Sequence, residues 1–429
     1  MKQTEPTVKI TKKRYHILTM VFITVVINYL DRTNISIAAS ALQEDLNLDS
    51  IKLGYIFSAF AWTYAILQIP GGFLADKLKT RVLYAVIMVF WSLATLIQGM
   101  VNSFAALVGL RAFIGVFEAP SYPINNLVVS RWFPERERAS AIGIYTSGQF
   151  LGMAFLLPIL TIIQSYLGWR GLFYVSGAIG IVWALVWYLF YRDPQNHKAI
   201  SNSELKMIRE GGGVVEDTSI ESKSLKFNLN DIKKVFSYRK LWGVYIGQFC
   251  LGATSIFFLT WFPTYLVKYR GLDFLQSGFL ASVPYLAAFI GVLISGFTSD
   301  FLTRRGYTPE IARKAPILSG LLLSTCIIGA NYTDSTPLII FFLSIAFFGN
   351  GLASIAWVFI SLMAPKRLIG LTGGAFNFIG GLAGIVVPIA IGYLVDEGDF
   401  APALVFIGIL AVIGFLSYTF MVGKVKRLE

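Results

Sequence analysis

Long apolar runs recur along the whole chain and limit what it can fold into. The 429 residues are 55% hydrophobic and only 14% charged, whereas soluble proteins carry about 25% charged residues. Runs of 18 or more apolar residues are long enough to cross a bilayer as helices. The sequence therefore predicts an all-α membrane protein with twelve transmembrane helices. These predicted spans cover residues 15–40, 51–76, 82–101, 104–130, 138–164, 169–191, 240–267, 275–302, 312–332, 337–363, 368–396 and 401–423.

The net charge of +12 reflects membrane topology. The predicted spans place 30 of the 36 Lys and Arg residues in the termini and loops of one side, against four on the other. Lys and Arg concentrate in cytoplasmic loops, so both termini are predicted to face the cytoplasm. Short tails and a short linker favour a bacterial inner-membrane protein, and nothing in this charge pattern calls for nucleic acid.

The chain divides into two halves in which similar motifs recur at corresponding positions. GGFLADKLKTR (71–81) and SGFTSDFLTRR (295–305) both follow a span at an offset of 224 positions. A polar segment between the halves is too charged to cross a membrane. We predict a six-helix bundle at 1–191, a cytoplasmic linker at 192–239 and a second, pseudo-symmetric six-helix bundle at 240–429. Repeated halves are the architecture of many secondary transporters.

Several motifs resemble one family of transporters. Residues 71–81 are similar to the loop signature of the major facilitator superfamily. Further motifs resemble its anion:cation symporter branch, whose bacterial members include proton-coupled D-galactonate carriers and glucarate/galactarate carriers. These motifs are YLDRTN (29–34), FSAFAWTYAILQIPGG (57–72), LRAFIGVFEAP (110–120), RWFPERERASA (131–141), YTSGQF (145–150), FFGNGLASIAW (347–357) and LTGGAFNFIGG (371–381). The resemblance implies a twelve-helix transporter that imports a sugar-acid anion such as D-galactonate with protons.

Four ionisable residues lie inside apolar spans: Asp31, Arg32, Arg111 and Glu118. Each charge at the bilayer centre costs about 2.5–3.5 kcal/mol, so these groups must pair or face a wet cavity. Arg111 and Glu118 are seven residues apart and share a helix face. Asp31 and Arg32 point about 100° apart, so different partners are expected.

Such intramembrane charges mark a substrate or proton path, the alternative being two buried ion pairs that only fix packing. Arginine stays charged and offers a planar fork to a carboxylate, so Arg32 is predicted to bind the substrate. Arg111 is expected to take part in proton coupling, by pairing with Glu118 or Asp31 and tuning the proton affinity of that carboxyl group. Proton carriers must change protonation state near neutral pH, which buried carboxyl groups can do. Asp31 and Glu118 are therefore predicted to carry protons, as the resemblance also implies.

A sugar acid also displays hydroxyl groups, which need neutral donors and acceptors. Each candidate matches a binding position of the resembling family, although each could instead join helices or fill the core. The candidates are Tyr29, Tyr64, Gln149, Gln248, Ser354, Trp357 and Asn377.

A second group of charges lies at helix ends on the predicted cytoplasmic side. Asp76, Arg81 and Asp300 are predicted to form latches that stabilise an outward-open state, rather than to bind substrate. A solvated loop charge is the alternative for Asp76.

Other functions are less consistent with the sequence. Cys250 and Cys326 lie in apolar runs and suit neither a disulfide framework nor a metal site. No ATP-binding signature and no nucleophile–base cluster occurs, so no cofactor and no enzyme activity is predicted. The partners expected are a small sugar-acid anion, protons and membrane lipids, with a monomer sufficing. A glucarate/galactarate or hexuronate symporter, an organic anion or phosphate antiporter, and a non-transporting receptor stay as alternatives.

Overall fold

The computed structural model describes residues 11–213, 229–365, 368–395 and 399–428, with the backbone alone at a few positions that include Asp76 and Asp300. Helices dominate these ranges. The first half contains α1 (Lys13–Asp45), α2 (Ser50–Lys77), α3 (Thr80–Gln98), α4 (Phe104–Glu118), α5 (Ser121–Trp132) and α6 (Glu135–Phe190). The linker contributes α7 (Asn202–Glu210) and α8 (Leu229–Ser237). The second half contains α9 (Arg239–Thr260), α10 (Phe262–Thr264), α11 (Phe274–Arg304), α12 (Pro309–Ser324), α13 (Thr336–Leu352), α14 (Trp357–Met363), α15 (Ile369–Leu394) and α16 (Ala401–Leu416).

The helices match the twelve predicted spans. Among the described residues, ten helical segments are long and apolar enough to cross a membrane. One of them, α6, has 56 residues and breaks at Gly168, whose φ of 68° is not helical, so it provides two spans. The twelfth span is α1, which has 33 residues. Polar residues in its middle, including Asn28, Asp31 and Arg32, lower its hydropathy.

The fourth span is broken where the sequence suggested one continuous helix over 104–130. Helix α4 ends at Glu118, and α5 begins at Ser121. Pro120 lies at the break and has no backbone N–H to continue the helical hydrogen bonds. The break leaves Glu118 at the carboxyl end of α4, deep inside the protein.

The two halves share a core on only one side of the molecule. We call the side that carries the start of α1 and the linker the terminal side, and the other the opposite side. On the opposite side one apolar cluster includes residues of both halves. Phe57 packs edge-on against Trp261 with ring centroids 5.4 Å apart, and Phe150 lies 6.3 Å from Phe347. On the terminal side each half has its own core. A cleft between the halves therefore opens to the terminal side.

Helices α2 and α15 cross closely on the opposite side. A Cβ atom on Gly54 would lie 2.5 Å from the carbonyl oxygen of Pro388. Further along the same crossing, Gly384 faces Ala61 and Gly381 faces Ala65. Small residues allow such close helix contacts in membranes.

The first part of the linker is docked onto the first half. Glu204 of α7 is fully buried and accepts hydrogen bonds from the Thr11 hydroxyl at 2.7 Å and from the backbone N–H groups of Lys13 and Arg14. The Arg14 guanidinium bridges Glu204 and Glu137 at 3.1 Å each. This network ties α7 to the beginnings of α1 and α6.

Candidate functional site

Two charges from different helices meet in the middle of the first half. Arg32 of α1 donates from Nε to the Glu118 Oε1 at 2.8 Å, and its Nη2 lies 2.6 Å from the same oxygen. The Glu118 side chain is fully buried, whereas 11% of the Arg32 side chain is exposed. The pair thus lies at the inner edge of the cleft, and Arg32 is its more accessible member.

Aromatic rings surround the guanidinium of Arg32. Its Cζ lies 5.0 Å from the ring centre of Tyr29, 4.8 Å from Phe60 and 4.7 Å from Tyr64. The Tyr29 hydroxyl donates to Gln149 Oε1 at 2.9 Å. Cation–π contacts hold the guanidinium in place without neutralising it. Tyr29, Tyr64 and Gln149, predicted as separate candidates, therefore lie together around Arg32.

Asp31 and Arg111 occupy a separate position behind this pair. The Asp31 carboxyl group is buried and faces Thr95 and Trp91 of α3, on another side of α1 from Arg32. Its two oxygens have no hydrogen-bond partner among the described residues. Arg111 donates from Nη1 to the backbone carbonyl oxygen of Asp31 at 3.2 Å.

Arg111 contacts Asp31 through the main chain rather than through an ion pair with its carboxylate. We expected Arg111 to pair with Glu118 or with the Asp31 carboxylate. Instead, Glu118 pairs with Arg32, and Arg111 binds main chain of α1. The shared face of α4 places Arg111 and Glu118 two turns apart, which is about 10 Å along the axis. Arg32 reaches Glu118 from the neighbouring helix, a contact that spacing within one helix cannot predict.

The candidates of the second half line the other wall of the cleft. Asn377 is exposed and lies one turn before Gly381, on the face of α15 that packs against α2. Trp357 is 46% exposed and packs edge-on against Phe376 at 4.9 Å. Ser354 is also exposed, and Gln248 packs against Gly380. These side chains make no described contact with Arg32, so the predicted binding residues fall into two separate groups.

The predicted latch residues are described only in part. Arg81 donates from Nε to the backbone carbonyl of Tyr188 at 2.7 Å and lies over its ring. The side chains of Asp76 and Asp300 lie outside the described residues, although both positions are helical. The latch therefore stays a prediction.

Sequence reasoning missed several residues around the site. Phe60 contacts both arginines, Tyr122 lies beside Tyr29, and Asn28 lies beside Glu118. Trp91 and Thr95 face Asp31. A signal for the last two was available, because polar residues recur at helical spacing along the otherwise apolar third span.

The arrangement suits exchange between bound ions rather than covalent chemistry. An arginine that is only partly buried is balanced by a fully buried carboxylate, and neutral polar groups lie on the second half. Within the described ranges, no group of three or more His, Cys, Asp or Glu side chains could hold a metal ion.

Comparisons with known proteins agree with this architecture. The sequence pattern of the Major Facilitator Superfamily matches residues 21–388. A D-galactonate transporter of Escherichia coli O6:H1 (strain CFT073) is 52% identical over 418 residues, which cover 97% of both chains. The probable galactarate/D-glucarate transporter GudP of Escherichia coli K12 is 41% identical, and the match covers 98% of this chain and 96% of GudP.

Solved structures resemble the fold at low sequence identity. A bacterial homologue of the human lysosomal transporter Spinster, in an inward-facing and occupied conformation, has a TM-score of 0.77 at 18% identity, covering 96% of this chain and 97% of its own. A D-xylose–proton symporter has a TM-score of 0.73 at 14% identity, covering 96% and 99%. The helices thus adopt a fold of two six-helix bundles. The sequence relatives are transporters and not enzymes. With the family pattern covering most of the chain and relatives above 30% identity covering nearly all of it, this chain belongs to the major facilitator superfamily of membrane transporters.

Proposed function

We propose that this protein imports a sugar-acid anion, in the first place D-galactonate, into the bacterial cytoplasm together with protons. The observation that carries the proposal is the ion pair between the fully buried Glu118 and the more accessible Arg32. A substrate carboxylate needs the same guanidinium. Substrate and ionised Glu118 therefore compete for Arg32, and protonation of Glu118 relieves the competition.

This competition couples the flux of protons to the flux of substrate. A proton on Glu118 frees Arg32, and the arriving carboxylate replaces the lost negative charge beside it. Leaving the guanidinium without any anion inside the protein would be costly. Loading with a proton and loading with substrate therefore favour each other, which is the requirement for symport. Asp31 is a second proton carrier in this proposal.

The relatives support the substrate class. The 52% identical relative is named for D-galactonate, and 41% identical relatives are named for galactarate and D-glucarate. Galactonate carries one carboxylate, whereas galactarate and glucarate carry two. Of the two arginines in the middle of the spans of the first half, Arg111 is buried against the Asp31 carbonyl, whereas the Arg32 side chain is partly exposed. One accessible cation favours a singly charged anion.

The remaining polar groups would bind the hydroxyl groups of the sugar acid. Tyr29, Tyr64 and Gln149 stand on the Arg32 wall, and four candidates stand on the other wall: Gln248, Ser354, Trp357 and Asn377. Substrate that touches both walls would draw the bundles together on the terminal side and so promote alternating access. The proposal includes two bundles joined by the 192–239 segment and both termini in the cytoplasm.

Two measurements test this function. A thermal-shift screen of the purified protein should show its largest stabilisation with D-galactonate, and smaller ones with galactarate, D-glucarate and hexuronates. Addition of the best ligand to proteoliposomes should then cause proton uptake, read with a pH dye inside the vesicles. Substrate uptake without proton movement would contradict symport. Stronger stabilisation by galactarate would instead favour the dicarboxylate alternative.

A further inference from the structure

A polar face of α3 leads from Asp31 towards the opposite side of the molecule. Trp91, Thr95 and Gln98 are spaced four and three residues apart, so they share one face over about 10 Å of helix. Each of the three is fully buried. Thr95 and Trp91 lie beside the Asp31 carboxyl group, and Gln98 is the last residue of α3.

Among the described residues, the polar atoms along this face have no partner at hydrogen-bonding distance, although the Thr95 and Trp91 side chains lie next to the Asp31 carboxyl group. These polar atoms are both carboxylate oxygens of Asp31, the Trp91 indole nitrogen, the Thr95 hydroxyl and both amide atoms of Gln98. Buried polar groups nearly always form hydrogen bonds, and so many unpaired atoms in one place would be very costly. Ordered water is the ligand that satisfies such groups in protein interiors.

The face ends close to the surface of the opposite side. Gln98 is followed by the loop that contains Met100, which is 59% exposed, and Asn102, which is also exposed. On the same side the halves are packed together, so the cleft that contains Arg32 does not open there. Any route from the opposite side to Asp31 must therefore run inside the first half.

We propose that protons reach Asp31 from the opposite side along a file of water molecules held by Trp91, Thr95 and Gln98. Proton entry is then separate from the cleft through which substrate leaves. The inference rests on the proton coupling proposed above and assigns a route to it. Thr95 and Gln98 are positioning residues, because they act on the proton through water.

The charges around Asp31 fit this route. Arg111 and Glu118 approach Asp31 from α4, Arg32 follows it on α1, and α3 contributes only neutral groups. A proton therefore passes only neutral groups along α3 itself, and the cation at the outer end, Arg170, binds Asn102 and is paired with Asp45. The route does not leak protons across the membrane, because onward transfer from Asp31 needs Glu118. Glu118 stays paired with Arg32 until substrate competes for Arg32.

Variants of α3 test the route. Thr95→Val and Gln98→Leu remove polar atoms with little change in size, and Thr95→Ser keeps the hydroxyl. Ser92→Ala is the matched control, since the Ser92 hydroxyl of the same helix is also buried without a hydrogen-bond partner but faces Gly180 of α6 rather than Asp31. Each variant is reconstituted, and proton-driven uptake of D-galactonate is compared with counterflow, the exchange of internal for external substrate.

Loss of a relay should slow only the proton-driven mode. Thr95→Val and Gln98→Leu are expected to lower proton-driven uptake about fivefold or more near neutral external pH, while counterflow stays within about twofold. The deficit should shrink when the external pH is lowered, because a higher proton concentration compensates for slow delivery. Thr95→Ser and Ser92→Ala should behave like the wild type.

Two results would overturn the route. One is wild-type pH dependence in both Thr95→Val and Gln98→Leu. The other is an equal loss of counterflow and proton-driven uptake, which indicates a structural role. If one variant misfolds, the other variant still tests the route. If the wild-type protein and both variants couple protons to uptake equally well, the route is excluded but the proposed symport stands. If the wild-type protein itself does not couple protons to uptake, the proposed symport is excluded as well.

Discussion

Arg32 of α1 and Glu118 of α4 form an ion pair with a shortest N–O distance of 2.6 Å, in which the Glu118 side chain is fully buried and 11% of the Arg32 side chain is exposed. The two residues are 86 positions apart in the chain. Because of this contact, the availability of the Arg32 charge to substrate depends on the protonation of Glu118, which substrate does not need to touch. The first two predictions follow directly from this arrangement.

Glu118→Gln should separate binding from coupling. The amide cannot ionise, so Arg32 is always free, and D-galactonate affinity should be at least as high as in the wild type and nearly independent of pH. Counterflow should persist while accumulation driven by a proton gradient is lost. Binding titrations between about pH 6 and 8 and uptake into proteoliposomes measure the two effects. The exposed Glu44 provides the control Glu44→Gln. Retained proton-driven accumulation in Glu118→Gln would contradict the proposed competition.

Arg32→Lys should weaken substrate binding although the charge is kept. Lysine lacks the planar fork that contacts two carboxylate oxygens and stacks poorly between the rings of Tyr29 and Tyr64. We expect D-galactonate affinity to fall at least about tenfold, equivalent to about 1.4 kcal/mol. Isothermal titration of the purified variant measures this. Arg136→Lys, at a side chain that is 74% exposed, should bind normally. Unchanged affinity in Arg32→Lys would place the carboxylate elsewhere.

The membrane potential should drive uptake if both Asp31 and Glu118 carry protons. A singly charged anion with one proton moves no net charge, whereas two protons move one positive charge inward. Each 100 mV then contributes about 2.3 kcal/mol, or roughly a 50-fold gradient. Uptake into proteoliposomes with a potassium diffusion potential measures the effect. Uptake that ignores the potential would indicate one proton per anion.

Gly54→Ala should loosen the closed side. The added Cβ atom would lie 2.5 Å from the Pro388 carbonyl oxygen, so α2 and α15 must move apart. We expect a shift towards opening on the opposite side and slower counterflow. Spin labels at the exposed positions Met100 and Tyr332, in a background without cysteine, measure the distance between the halves.

Gly109→Ala provides the control for this change. Nothing lies within 4 Å of a Cβ atom at Gly109. The control should keep the wild-type distance distribution. Equal distributions in wild type and Gly54→Ala would show that this crossing does not hold the opposite side closed.

Glu204→Ala should destabilise the first half without touching the site. Removal of the buried carboxylate leaves the backbone N–H groups of Lys13 and Arg14 without their acceptor, and Glu137 becomes the remaining carboxylate partner of the Arg14 guanidinium. Breaking one partner of a buried pair typically costs about 3–5 kcal/mol. A lower melting temperature should therefore accompany unchanged D-galactonate affinity. Glu210→Ala is the control, since Glu210 is a 66% exposed residue of the same helix. Equal melting temperatures would mean that α7 is docked without contributing stability.

Much of the fold could be predicted because the bilayer imposes a simple rule. A helix satisfies its own backbone hydrogen bonds, so each apolar run of sufficient length must be a helix. The apolar runs therefore predict the positions of the spans to within several residues. A plain hydropathy criterion merges the two spans of α6, which Gly168 separates, and it does not count α1, because the middle of that helix is polar. The charged residues inside the spans were equally visible, because charges are rare there.

The sequence by itself determined that this protein is a bundle of membrane helices with Asp31, Arg32, Arg111 and Glu118 inside it, since chain length, apolar pattern and charge position are local properties. Only the tertiary structure decided that Glu118 pairs with Arg32 rather than with Arg111. It also decided that Asp31 faces the polar side of α3 and that the cleft opens on the terminal side. These relationships depend on how helices distant in the chain are rotated and packed against one another, and helical periodicity within one segment contains no information about a neighbour's rotation.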